Sequence, residues 1–122
     1  MLVQFTTHQV EPGITVVELT GRLTLGNRLA EVEHAVKEFI EKGSRKLVLD
    51  LTALAFMDSA GIGMVMVCAG TIKDAGGRLF IVGAQGHVKH VLELTQIHQV
   101  IPIYSDLATS FAAFDAPATP PT

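Results

Sequence analysis

"LVLDLTALAFMDSAGIGM", residues 47–64, joins two apolar runs of different character through an acid and a hydroxyl. Its first part belongs to the short apolar strand "RKLVLDL" (45–51), rich enough in Val and Leu to be buried on both faces. The apolar run then stops at an acid and a hydroxyl, Asp58-Ser59. Small residues follow, and a second apolar run continues to Ala75 at helical length, closed by Gly76-Gly77. Asp58-Ser59 is therefore either a plain turn that ends a strand and opens a helix, or a site where chemistry happens.

The elements on either side extend this pattern. "LVQFTTH" (2–8) and the β-branched "ITVVELTG" (14–21) read as strands joined by the turn "EPG", which makes a hairpin. From Asn27 to Lys42 the period becomes helical, with Leu29, Val32, Val36, Phe39 and Ile40 on one face and Gly43 as the left-handed residue beyond the end. After the central helix come the strand "RLFIVG" (78–83), the short helix "HVKHVLELT" (87–95), and the strand "VIPIY" (100–104), whose Pro102 favours a sheet edge. A last amphipathic helix, "DLATSFAAF" (106–114), has Asp106 as its N-cap. An antiparallel opening pair followed by alternating strands and helices predicts a mixed α/β sheet, largely parallel after the hairpin, with helices packed on it.

The 122 residues suit one domain, placed at 2–114, with 115–122 as a disordered Pro-containing tail. The net charge of -3 argues against non-specific nucleic-acid binding. Cys68 is the only cysteine, so no internal disulfide forms and a reducing cytoplasm is the expected location. The N-terminus lacks the pattern of a signal peptide, and no apolar run approaches the roughly 20 residues of a membrane span.

Four stretches hold residues with chemical potential. "GRLTLGNR" (21–28) sits between a strand and a helix with the glycine spacing of a phosphate loop. Asn27 and Arg28, however, stand where its lysine and hydroxyl belong, so a βα turn that needs glycines is the plainer reading. His87, His90 and Glu93, with His98 beyond, have the spacing of a metal face but also of an exposed polar helix face. Cys68, mid-helix, reads as a small apolar packing residue. Around Ser59 a nucleophile elbow fails, because Met57 stands where its first glycine would be. Neither a cofactor, a metal nor an enzymatic activity is expected.

Asp58 or Ser59 serves as an N-cap in the plain reading of that last stretch. A hydroxyl at a helix N-terminus also sits in a positive field that tolerates a phosphate. Ile62, Val65, Met66, Ala69 and Ile72 form one stripe expected to face the sheet. Met64, Val67 and Cys68 lie outside its centre, and that excess of apolar surface fits either a docking face or a helix covered on both sides by its own domain.

"ELTGRL" (18–23), "LVLDLTALAFMDSAGIGM" (47–64) and "GGRLFIVG" (76–83), in this order, resemble the STAS domain family, and within it the bacterial anti-sigma factor antagonists, or anti-anti-sigma factors. The resemblance covers roughly residues 2 to 114. It implies a STAS fold and a partner-switching protein. Ser59 would be phosphorylated by an anti-sigma factor that is also a serine kinase of the GHKL type, the unphosphorylated form would bind that kinase and free a sigma factor, and a PP2C-type phosphatase would restore it. Asp58, Ala60, Gly61, Met64 and Thr24 would line the partner-binding surface, with Gly61 letting the kinase approach the backbone. Ala60 replaces a second hydroxyl common in the motif, and Thr24 replaces an aspartate. A homodimer is one admissible state, and neither nucleic acid nor direct membrane insertion is implied. The alternatives are a STAS scaffold or accessory subunit of a transport or signalling complex, in which Ser59 only caps a helix, and an α/β nucleotide hydrolase.

Overall fold

A computed structural model describes residues 2–115. The elements run β1 (Gln4–Val10), β2 (Ile14–Leu23), α1 (Leu29–Glu41), β3 (Lys46–Asp50), β4 (Leu54–Met57), α2 (Ser59–Asp74), β5 (Arg78–Val82), α3 (Gly86–Leu94), a 3-10 turn at Ile97–Gln99, β6 (Ile103–Tyr104) and α4 (Leu107–Asp115). The expected order of strands and helices is borne out, with β4 as an additional strand. The tail expected at 115–122 lies, from residue 116, outside the described residues, and Asp115 closes α4.

The sheet order is β1-β2-β3-β5-β6, with β4 paired to the far end of β2. β1 and β2 form the antiparallel hairpin, in register from Gln4 opposite Thr20 to Val10 opposite Ile14. All other pairings are parallel. β2 is the pivot: Ile14–Glu18 pair with β3, then the register shifts between Gly21 and Arg22, and the strand continues beside β4. Gly21 takes φ +90°, and a Cβ there would meet the Leu2 carbonyl oxygen at 2.5 Å, so the bend requires glycine. β2 runs two residues beyond its expected end at Gly21 and β4 is an unexpected strand, because a strand that turns mid-course changes its partner without a break in composition.

Alternation along the strands divides the core. Leu47, Leu49, Leu79 and Ile81 face the layer of α1, α2 and α3. Val48, Phe80 and Val82 face the other side, where α4 lies with Phe114 stacked on Phe80 at 4.2 Å. β3 is buried on both faces, as its composition predicts. α1 ends in a Schellman motif, with Ser44 N–H donating to Phe39 O and Gly43 at φ +108°. Asp106 caps α4 through Thr109 N–H at 2.8 Å, and β6 begins directly after Pro102 at the sheet edge.

The stripe expected to bury on α2 needs correction. The residues buried there are Gly61, Met64, Val65, Cys68 and Ile72, with Ile62 and Ala69 half-buried, whereas Met66 points outward. This helix is apolar nearly all round, so its period alone does not set its rotation. The contact that sets it is Gly61, whose face lies directly on the Leu23 backbone carbonyl.

Candidate functional site

The site is built where β4 gives way to α2, next to the loop that leaves β2. Asp58 is extended (φ -109°, ψ -175°) and caps α2, its Oδ1 accepting from Gly61 N–H at 3.0 Å. Its Oδ2 accepts from Leu25 N–H at 3.1 Å, and its own N–H donates to Leu23 O at 3.3 Å. One carboxylate therefore closes the helix and pins the β2–α1 loop. Burial raises the Asp58 pKa, but the N–H groups of Gly61, Leu25 and Ala60, with its own amide, outweigh that and hold it below the usual carboxylate range.

Because Asp58 performs the capping, Ser59 does not have to. Ser59 is the first residue of α2 and is exposed, and among the described residues its hydroxyl has no hydrogen-bond partner. Ala60 beside it is half-buried. Thr24 is half-buried in the loop that Leu25 ties to Asp58, with Asn27 N–H donating to Thr24 O at 3.1 Å. The structure thus brings Thr24, Asp58, Ser59 and Ala60 together.

Two residues of the expected partner surface lie in the core of this chain. Met64 is 3% exposed in the core, beneath the helix, so its side chain offers nothing to a partner. Gly61 is also buried, and its missing side chain lets α2 approach β2 of its own domain rather than letting another protein approach. On α2 and the loop tied to Asp58, the large apolar residues that are exposed are Leu25 (78%), Met66 (37%) and Val67 (47%). Gly63, Met66, Val67 and Gly70 continue from Ser59 along one side of α2 at helical spacing, and all are exposed. The signal for this face was an apolar excess on α2; its location depended on the rotation that Gly61 imposes.

A second feature borders the site. Phe56, two residues before Asp58, carries the Arg22 guanidinium 4.2 Å from its ring centre and the His87 ring stacked at 4.2 Å and 5°. His87 Nε2 lies 3.3 Å from Met57 O. His87 is thus occupied in fastening α3 to the end of β4. Cys68 is fully buried with its Sγ 3.6 Å from Met64 Sδ, and burial, ahead of Glu33, pushes its thiol pKa up to about 12, which suits packing and not nucleophilic work.

The STAS domain family model matches residues 6–110. The chain belongs to the STAS domain family. An anti-sigma F factor antagonist of Paenibacillus polymyxa is 26% identical over 97 residues, covering 77% of this chain and 80% of that protein. A solved anti-sigma factor antagonist from Mycobacterium paratuberculosis has a TM-score of 0.84 at 19% identity, over 93% of this chain and 95% of that one. The Bacillus cell fate determinant SpoIIAA in its phosphorylated form has a TM-score of 0.70 at 17% identity, over 90% of this chain and 98% of that one. The mixed sheet, with its antiparallel β1-β2 pair and parallel remainder, is thus the STAS fold.

Proposed function

We propose that this STAS domain is an anti-sigma factor antagonist: a phosphorylation-controlled binding module without catalysis of its own. In its unphosphorylated form it binds an anti-sigma factor that is also a GHKL-type serine kinase, which then releases its sigma factor. Phosphorylation of Ser59 ends that binding, and a PP2C-type phosphatase restores it. The setting is the cytoplasm; among the described residues no helix is long and apolar enough to cross a membrane.

The observation that carries the reading is the division of labour between Asp58 and Ser59. A structural N-cap would spend the serine hydroxyl on the helix, yet the cap bond is made by Asp58 Oδ1 and the Ser59 hydroxyl is exposed and unspent. A phosphate there meets the positive end of α2 and costs the fold little. It adds about -1.5 to -2 charges beside an exposed apolar face of Leu25, Met66 and Val67. Desolvating that charge opposes docking of any apolar partner surface. The relatives named as anti-sigma factor antagonists, and a structural neighbour solved in phosphorylated form, support the same reading.

The test is capture from the native cell with wild type and Ser59→Asp side by side. Wild type retains a serine kinase that Ser59→Asp loses, while the two thermal midpoints agree. Equal capture by both, or a Ser59→Asp protein that unfolds, contradicts the reading.

A further inference from the structure

We infer that the crevice beyond the carboxyl ends of β5 and β6 is a binding site for a small zwitterion of the α-amino acid class. It lies apart from Ser59, and the inference does not depend on the phosphorylation switch.

The topology creates the crevice. β5 and β6 are parallel neighbours, but the helices that follow them go to opposite sides of the sheet. α3 buries Val88 and Leu92 in the layer shared with α1 and α2, whereas α4 buries Phe114 against Val48 and Phe80 on the other face. Where consecutive loops diverge in this way an open α/β sheet leaves a gap at its carboxyl edge, the place where ligands of such sheets bind. The gap here measures about 660 Å³, inside the range of roughly 300–1,000 Å³ typical of small-molecule sites.

Its walls are held in place. Gln85 Nε2 donates to Thr52 O at 2.8 Å, which ties the exit of β5 to the exit of β3. Gly83 has φ +74°, and a Cβ there would overlap the Thr52 hydroxyl, so the wall closes only around glycine. The floor is apolar, formed by Ala84, Leu92 and Ile103.

The charges name the ligand. Lys89 and Glu93 both line the crevice, one helical turn apart on α3. Among the described residues neither has an ion-pair partner, and they do not pair with each other. Lysine before glutamate is the weaker order for such a pair, and side chains at this spacing stand about 5–6 Å apart at Cβ. A single small ligand that presents a carboxylate to Lys89 and an ammonium to Glu93 satisfies both, and in an α-amino acid those two groups share one carbon. Its side chain then lies over Leu92 and Ile103, with the His98 and Tyr104 side chains lining the same crevice.

The test uses the full chain, isotope-labelled, with two-dimensional amide NMR spectra recorded against a panel of the standard L-amino acids at millimolar concentration. For the amino acid that shifts the spectrum most, its decarboxylated amine and its deaminated acid are titrated as controls. At least one amino acid shifts the amides of Gly83 to Lys89 saturably, and each control binds about tenfold more weakly, as expected for loss of one charge-assisted contact. Lys89→Ala weakens the amino acid and the acid control, whereas Glu93→Gln weakens the amino acid and leaves the acid control unchanged. Absence of any saturable shift at these amides, a control that binds as well as the amino acid, or affinity indifferent to both substitutions overturns the inference.

Discussion

The Asp58 carboxylate reaches Leu25 N–H at 3.1 Å across 33 positions of sequence while its other oxygen holds Gly61 N–H at the start of α2. The loop that presents Leu25 and the helix that presents Ser59 are therefore one unit. Asp58→Ala removes both bonds and leaves two backbone donors without their acceptor. The expected loss is about 1–2 kcal/mol, the upper part of the range for an N-cap. Asn is also a good cap and recovers most of it. Urea unfolding of the wild type and both variants measures the order: wild type, then Asn, then Ala.

The same carboxylate gives stability a pH signature. Its folded pKa lies below its unfolded value, so its contribution is complete above the ordinary carboxylate pKa of about 4. It is lost as pH falls through the lower, folded pKa. The stability difference between wild type and Asp58→Asn is therefore constant from neutral pH down to about pH 5 and shrinks below about pH 4. Paired unfolding curves across that window decide the point; a difference that grows on acidification contradicts the sign.

Two glycines of α2 respond in opposite ways to alanine. At Gly61 a Cβ runs into the Leu23 carbonyl oxygen, while at Gly63 it meets no atom within 4 Å. Gly61→Ala should cost about 1–3 kcal/mol through overpacking against backbone. Gly63→Ala should stabilise by up to about 1 kcal/mol through helix propensity alone. Thermal midpoints of the two variants test the rotation assigned to α2.

Met66 and Val67 are exposed on the same side of α2 as Ser59. A charge at either position leaves folding within about 0.5 kcal/mol of wild type. As part of a docking face, Met66→Lys or Val67→Asp weakens kinase binding by about tenfold or more. Met64→Ala tests the complementary point. It removes a buried side chain and should cost about 2–5 kcal/mol of stability. Calorimetric titration with the kinase, beside thermal melts, separates the two effects.

Most of the architecture was legible because its signals are local. The EPG turn, the apolar β3, Gly43 after α1 and Asp106 before α4 each carry their reason within a few residues. The junction of β4 and α2 was legible for the same reason: an acid, a hydroxyl and small residues fall between a strand and a helix. The rotation of α2 was not, since Met64, Met66, Val67 and Cys68 are equally apolar and burial depends on a contact between Gly61 and Leu23 distant in sequence. Nor was β4, whose four residues gain their identity only by pairing with the bent end of β2. Leu25 escaped notice because a lone leucine in a loop carries no periodic signal; its importance comes from the hydrogen bond to Asp58.

Phosphosite mapping by mass spectrometry, after incubation with the cognate kinase and ATP, decides whether Ser59 is the switch. One phosphate per chain is predicted, on Ser59, absent from Ser59→Ala and removable by a PP2C-type phosphatase. No phosphate from a kinase proven active, or a phosphate that persists in Ser59→Ala, contradicts it.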